Sequence, residues 1–290
     1  MFEPFEIQTS DAEVHIAGQV GGAGAPLLLL HGNPLTHRSW DRIAPRLAER
    51  FTVVATDLRG YGASGKPVGK GDHHEYSFRR MAQDQVEVMT HLGFDAFMVA
   101  GHDRGARTAF RMALDHPRKV LKAAFLEILP THCVAKDINF QMAIDLYHWW
   151  FMAQPFPFPE QLLKGNEEFY IRKKLMSQGP GKGGFTEAEI QAYVHACTPE
   201  NVHAVCEDYR AAATVDLAMD TADFLAGRKV ECPALVLWGE KSHTAHHHDV
   251  RAEWPRYCAK LAGMHALACG HYPVEQAPEE TYGLLAGFFR

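Results

Sequence analysis

Phe97-Met98-Val99-Ala100-Gly101-His102-Asp103-Arg104-Gly105-Ala106-Arg107 is the stretch on which the reading of this chain turns. An apolar run of β type leads into Gly-x-Asp-x-Gly, and a helix-like sequence follows. This is the strand–turn–helix context of a nucleophile elbow. Glycines flank Asp103 because so tight a bend leaves no room for a Cβ there and forces an unusual φ at its apex. Ser is the usual apex residue; here it is Asp. A carboxylate is ionised at neutral pH and needs no base to activate it. It can displace a leaving group from saturated carbon and become an ester that water then cleaves. The alternative is a structural Asp that caps the next helix.

Around the elbow, short apolar runs alternate with helical patterns. Runs at 26–30, 51–56, 97–100, 120–126, 234–238 and 265–269 read as strands, and residues 5–20 as a hairpin. Ser39 is positioned to cap a helix to about Arg50, and Ser77 one that Gly93 stops. Further helices follow from Arg104 to Asp115 and from Pro278. Alternation of this kind implies an α/β protein with a mostly parallel, doubly wound sheet. Between 131 and 228 there are helical patterns but no convincing strand; 178–184 is a glycine-rich break, and Thr186-x-x-Glu189 is a capping box. The expected organisation is a core of 1–130 and 229–290 with a helical lid, 131–228, inserted.

Composition narrows the functional classes. The 290 residues carry a net charge of -6, which argues against a nucleic-acid partner. No stretch is apolar for long enough to span a membrane. The first residues are acidic where a signal peptide needs bases, and the six cysteines form no C-x-x-C pair. These features suggest a cytoplasmic protein with reduced thiols. The expected partner is a small-molecule substrate, with no cofactor, and the aromatic insert offers a surface for a homodimer. His246-His247-His248, near His243, reads as a solvated loop rather than a metal site, because no carboxylate or cysteine spacing completes it.

An ester on Asp103 needs a base to activate water. His271 lies just past the last expected strand, at the sheet edge where ligands bind in open α/β folds. A carboxylate must hold His271 in the right tautomer. Glu127, at the end of the 120–126 run and flanked by apolar residues, is preferred to Glu240. Arg104 and Arg107 share a face of a helix's first turn, where cations oppose the dipole and structure alone would not choose them. Together they suit a substrate carboxylate. The backbone amides of Asn33 and Arg104 are the candidate oxyanion donors.

These residues resemble the α/β-hydrolase haloacetate dehalogenases, whose best-known members are the fluoroacetate dehalogenases. The resemblance covers nearly the whole chain. It rests on His31-Gly32-x-Pro34, Asp57-Leu58-Arg59-Gly60-Tyr61-Gly62, the elbow with Arg104 and Arg107, His148-Trp149, Cys206-x-Asp208-Tyr209-Arg210-Ala211 and Gly270-His271. It implies the α/β-hydrolase fold and attack by Asp103 on the α-carbon with loss of halide. His271, oriented by an acid, would activate water against the ester, while Arg104 and Arg107 hold the substrate carboxylate. It further implies that His148, Trp149 and Tyr209 donate hydrogen bonds to the departing halide. Two positions depart from the family pattern: Glu127 stands where Asp is usual, and Asn33 where Phe is usual. Asn33 resembles the haloalkane dehalogenases, in which that side chain contacts halide.

Haloalkane dehalogenases and epoxide hydrolases also use an elbow Asp, but usually follow it with Trp where this chain has Arg104. An epoxide hydrolase would want two lid tyrosines, and only Tyr209 presents itself. A ligand-binding protein without turnover is the reading from another class; the set Asp103, His271 and Glu127 counts against it.

Overall fold

The computed structural model describes residues 1–177 and 184–290; most of the glycine-rich break, 178–183, lies outside them. Eight strands form one sheet: β1 (Glu3–Gln8), β2 (His15–Gly21), β3 (Ala25–Leu30), β4 (Phe51–Thr56), β5 (Phe97–His102), β6 (Val120–Leu126), β7 (Ala234–Gly239) and β8 (Leu261–Leu267). Their order is β1-β2-β4-β3-β5-β6-β7-β8. Only β2 runs against its neighbours β1 and β4; every pairing from β4 to β8 is parallel.

The period of two along the strands builds a core on each face of the sheet. Leu28, Leu30, Val54, Val99, Phe125 and Val236 belong to one cluster. Leu27, Leu29, Val53, Ala55, Met98, Leu126 and Leu237 belong to the other. The helices that cover the faces, and those used below, are α1 (Phe78–His91), α2 (Arg104–Asp115), α3 (Phe140–Asp145), α4 (Tyr147–Met152), α5 (Glu167–Ser177), α6 (Glu187–Ala196), α7 (Pro199–Ala211), α8 (His243–His247) and α9 (Pro278–Phe289). Met81, Val88 and Met89 of α1 and Ala106, Phe110 and Met112 of α2 join the first cluster. Leu285 and Phe289 of α9 join the second. Between β6 and β7 the described residues form helices and no strand. Met152, Tyr170, Val202 and Tyr209 of that segment are buried in the same cluster, so the helical insert shares a continuous apolar core with α1 and α2.

Local chemistry accounts for most boundaries. Ser77 Oγ accepts the Arg80 amide and starts α1, and the Thr186–Glu189 capping box starts α6. Two expectations are corrected. Ser39 does not cap a helix: it lies inside a single turn, His37–Trp40, and helix restarts only briefly at Ala44–Leu47. The Asp57 carboxylate takes the His37 amide at 2.7 Å and fixes the chain there instead. The last strand is Leu261–Leu267 rather than 265–269; it is a half-exposed edge strand, so its apolar signal is diluted. All six cysteines are free thiols. Among the described residues no helix is long and apolar enough to cross a membrane.

Candidate active site

The C-terminal ends of β3, β5, β6, β7 and β8 open on one edge of the sheet, and the candidate residues leave from these ends. Asp103 leaves β5 with φ 48° and ψ -115°, a backbone strain of the kind stored at functional sites. The flanking glycines are required: a Cβ on Gly101 would strike the Gly105 carbonyl, and one on Gly105 the Leu30 carbonyl. Asp103 occupies the N-cap position of α2, yet its side chain makes no capping bond. Instead Oδ2 accepts the Asn33 amide at 3.1 Å. The helix-cap reading of Asp103 therefore fails. Burial opposes its charge, but His271 and Lys174 outweigh that and hold the carboxyl well below the usual carboxylate range.

His271 Nε2 lies 4.0 Å from Asp103 Oδ2, too far for a hydrogen bond. Its Nδ1 donates to Glu127 Oε2 at 2.9 Å. Glu127 turns out of β6 with φ 60° and is 2% exposed. Its other oxygen accepts the Gly239 amide at 2.6 Å, and Thr244 Oγ1 donates to Oε2 at 3.4 Å. The longer side chain thus reaches the imidazole, and Glu240 stays at the exposed surface. His102, which the sequence reading left unassigned, donates Nε2–H to the His271 carbonyl at 2.7 Å. Burial and the neighbouring His271 push His102 down to about 3, so it stays neutral while it anchors the His271 loop.

The two arginines differ. Arg104 makes a two-pronged contact with Asp208 on α7, at 2.8 and 2.7 Å, and its guanidinium stacks 4.0 Å over the Tyr209 ring. Tyr61, from the Asp57–Gly62 motif, donates to the same Asp208 carboxylate at 2.7 Å. Among the described residues, Arg104 Nη1 is buried with no hydrogen-bond partner. Arg107 is 5% exposed and, among the described residues, has no carboxylate partner. It donates to Thr131 Oγ1 at 3.1 Å and lies 4.8 Å over the Trp149 ring, while its Nε is buried with no partner among the described residues. Burial and the nearby Arg104 push it down to about 10. A buried cation without an anion is costly, so the site is built for one to arrive.

On the opposite side α4 sets His148 and Trp149, and α7 sets Tyr209. The His148 and Tyr209 rings meet edge to face at 5.8 Å. Asn33 Nδ2 approaches the Tyr209 hydroxyl at 3.5 Å, so one residue offers its amide to Asp103 and its side chain to Tyr209. A further residue, absent from the sequence reading, joins them. Lys174 of α5 is 3% exposed and its Nζ donates to the Tyr209 hydroxyl at 3.4 Å. Burial pushes Lys174 down to about 8. No motif marks it, but Tyr170 and Ile171, four and three residues earlier on α5, are buried and put Lys174 on the inward face.

Asp103, Arg107, His148, Trp149, Lys174 and His271 line a chamber of about 40 Å³. At the 10–15 Å³ that one water occupies on this measure, it has room for roughly three or four waters, hence for a very small molecule. Arg107 and Trp149 also line a second, mainly apolar cavity of about 230 Å³, with Arg104 and Tyr209. Tyr209 is, among the described residues, the one tyrosine on either wall.

A family model described as the alpha/beta hydrolase fold matches residues 25–278. A fluoroacetate dehalogenase from Burkholderia sp is 42% identical over 99% of this chain and 95% of its own. A soluble epoxide hydrolase from Corynebacterium sp. is 31% identical, over 92% of this chain and 91% of its own. Among solved structures, an alpha/beta hydrolase from Nostoc sp PCC 7120 superposes with a TM-score of 0.95 at 48% identity, covering 99% of this chain and 98% of that one.

Proposed function

The chain belongs to the alpha/beta hydrolase fold family, and we infer that it hydrolyses small 2-haloacids, haloacetate to glycolate and halide, through an ester on Asp103. The observation that carries this reading is the meeting of an ionised Asp103 with the buried Arg107, which has no carboxylate partner among the described residues, on the wall of one chamber of about 40 Å³. The 42% identity to a fluoroacetate dehalogenase points the same way.

The reaction follows from the geometry in two displacements. Arg107, with the spare Nη1 of Arg104, binds the substrate carboxylate and sets the α-carbon over Asp103. The Asn33 amide holds Oδ2, which leaves Oδ1 to attack. The new C–O bond forms as the carbon–halogen bond breaks, and the halide takes the bonding pair. His148, Trp149 and Tyr209 offer N–H and O–H donors to that growing charge, each worth roughly 2–4 kcal/mol by analogy with oxyanion donors. Lys174, held on the Tyr209 hydroxyl, adds positive charge to the same side. Water then attacks Asp103 Cγ while His271 takes its proton, and Glu127 stabilises the imidazolium. The Asn33 and Arg104 amides carry the oxyanion. Collapse breaks the ester C–O bond: the departing oxygen takes the proton of the attacking hydroxyl and leaves as glycolate, the Asp103 carboxylate is restored, and His271 returns its proton to solvent. The helical insert acts as the lid over this chemistry.

An epoxide hydrolase is the second reading, because such enzymes are also relatives. A lone wall tyrosine disfavours it, since an oxirane oxygen is best met by two acids. Halide release from fluoroacetate, chloroacetate and a neutral haloalkane, assayed in parallel, tests the proposal. Release from the acids alone is expected; release from the haloalkane alone would overturn it.

A further inference from the structure

A second constellation of chemically able side chains lies beside the chamber. α8 carries His243, His246 and His247 immediately after the β7 turn. The missing carboxylate that made this run look like a solvated loop comes from the helical insert, a hundred residues away. Asp145, the last residue of α3, places Oδ2 at 2.8 Å from His247 Nε2 and 3.8 Å from His243 Nδ1. Gln141, one turn earlier on α3, donates to Asp145 Oδ1 at 3.0 Å. That bond orients the carboxylate and leaves Oδ2 directed at the histidines, the second contact that carboxylate ligands normally have. Ligand atoms of Asp145, His246 and His247 all lie within 4.8 Å of one another. In a tetrahedral site with bonds of about 2.0–2.1 Å the ligand atoms stand about 3.4 Å apart, so small rotamer changes suffice. The His247 side chain is 5% exposed and Asp145's 20%, which shields two of the three from water.

We propose that Asp145, His246 and His247 bind one late first-row divalent cation, Zn²⁺ being the type case, and that the ion clamps the helical insert to the loop after β7. Two imidazoles and one carboxylate suit zinc, nickel or copper; magnesium and calcium want oxygen shells. His243 and His247 also line the chamber that holds Asp103 and His271, so the clamp sits on the chamber wall. Occupancy ties the helical insert to the core at the chamber wall, and on this proposal it slows turnover reversibly.

The test uses the full chain without a polyhistidine tag, stripped with a chelator and titrated calorimetrically with ZnCl₂. One equivalent is expected to bind. Asp145→Asn and His246→Gln, each with an unchanged metal-free melting temperature, should weaken binding by at least about tenfold. Zinc should raise the melting temperature of the unmodified chain and not of the variants. It should also inhibit halide release from haloacetate in the unmodified chain alone. Absence of stoichiometric binding, or equal binding by both variants, overturns the proposal. The calorimetric arm reads the site without turnover, so failure of the haloacetate reading would show separately.

Discussion

Glu127 Oε2 receives a hydrogen bond of 2.9 Å from His271 Nδ1, across a sequence separation of 144 residues. The contact decides which ring nitrogen carries the proton: Nδ1 donates, so Nε2 faces Asp103 with a lone pair. In Glu127→Gln the Gly239 amide keeps the side-chain oxygen, so the new NH₂ turns towards His271 and forces the opposite tautomer. Halide release should fall by about 10⁴-fold in steady state, the cost of a wrong tautomer in the serine-protease triad. The first turnover should be spared, because carboxylate attack does not need the base. A burst equal to the enzyme concentration checks this.

Arg107→Ala removes the cation assigned to the substrate carboxylate. Charged hydrogen bonds contribute about 1.5–3 kcal/mol, so KM for haloacetate should rise roughly tenfold to a hundredfold while kcat falls less. Initial-rate kinetics on fluoroacetate and chloroacetate separate the two parameters.

Asp208→Asn tests the two-pronged contact that holds Arg104. It leaves a buried guanidinium uncompensated, a loss of about 3–5 kcal/mol. The melting temperature should drop. Added glycolate should raise it more in the variant than in the unmodified chain, because a bound carboxylate would supply the missing charge.

Lys174 gives a pH prediction. Its ammonium, pushed down to about 8 by burial, is charged below that pH and neutral above it. If the charge aids halide departure, kcat/KM declines as pH rises through about 8. Lys174→Gln should be slower at neutral pH and lack that limb. A limb retained in the variant would assign it to another group.

Much of this was legible in the chain. The elbow carries its own signature, because Gly101 and Gly105 are dictated by backbone contact with Gly105 and Leu30. Buried parallel strands such as β5 read as continuous apolar runs, whereas β8, half exposed at the edge, did not. His271 and Glu127 followed from their places at strand ends. Three features depend on contacts no local pattern contains. Lys174 is a charged residue on an apolar helix face; Asp208 takes two of the three guanidinium nitrogens of Arg104; and Asp145 supplies the carboxylate that the histidine run lacks. The last two join the helical insert to the core and Lys174 faces the chamber between them, and a local pattern does not say what a helix face meets.

The central claim is that Asp103 becomes covalently bound to substrate. Incubating His271→Ala with a haloacetate and weighing the intact chain by mass spectrometry tests it most directly. The account predicts a gain equal to one carboxymethyl group, localised by proteolysis to the peptide containing Asp103. A variant that stays unmodified, while the unmodified enzyme releases halide from the same compound, would contradict it.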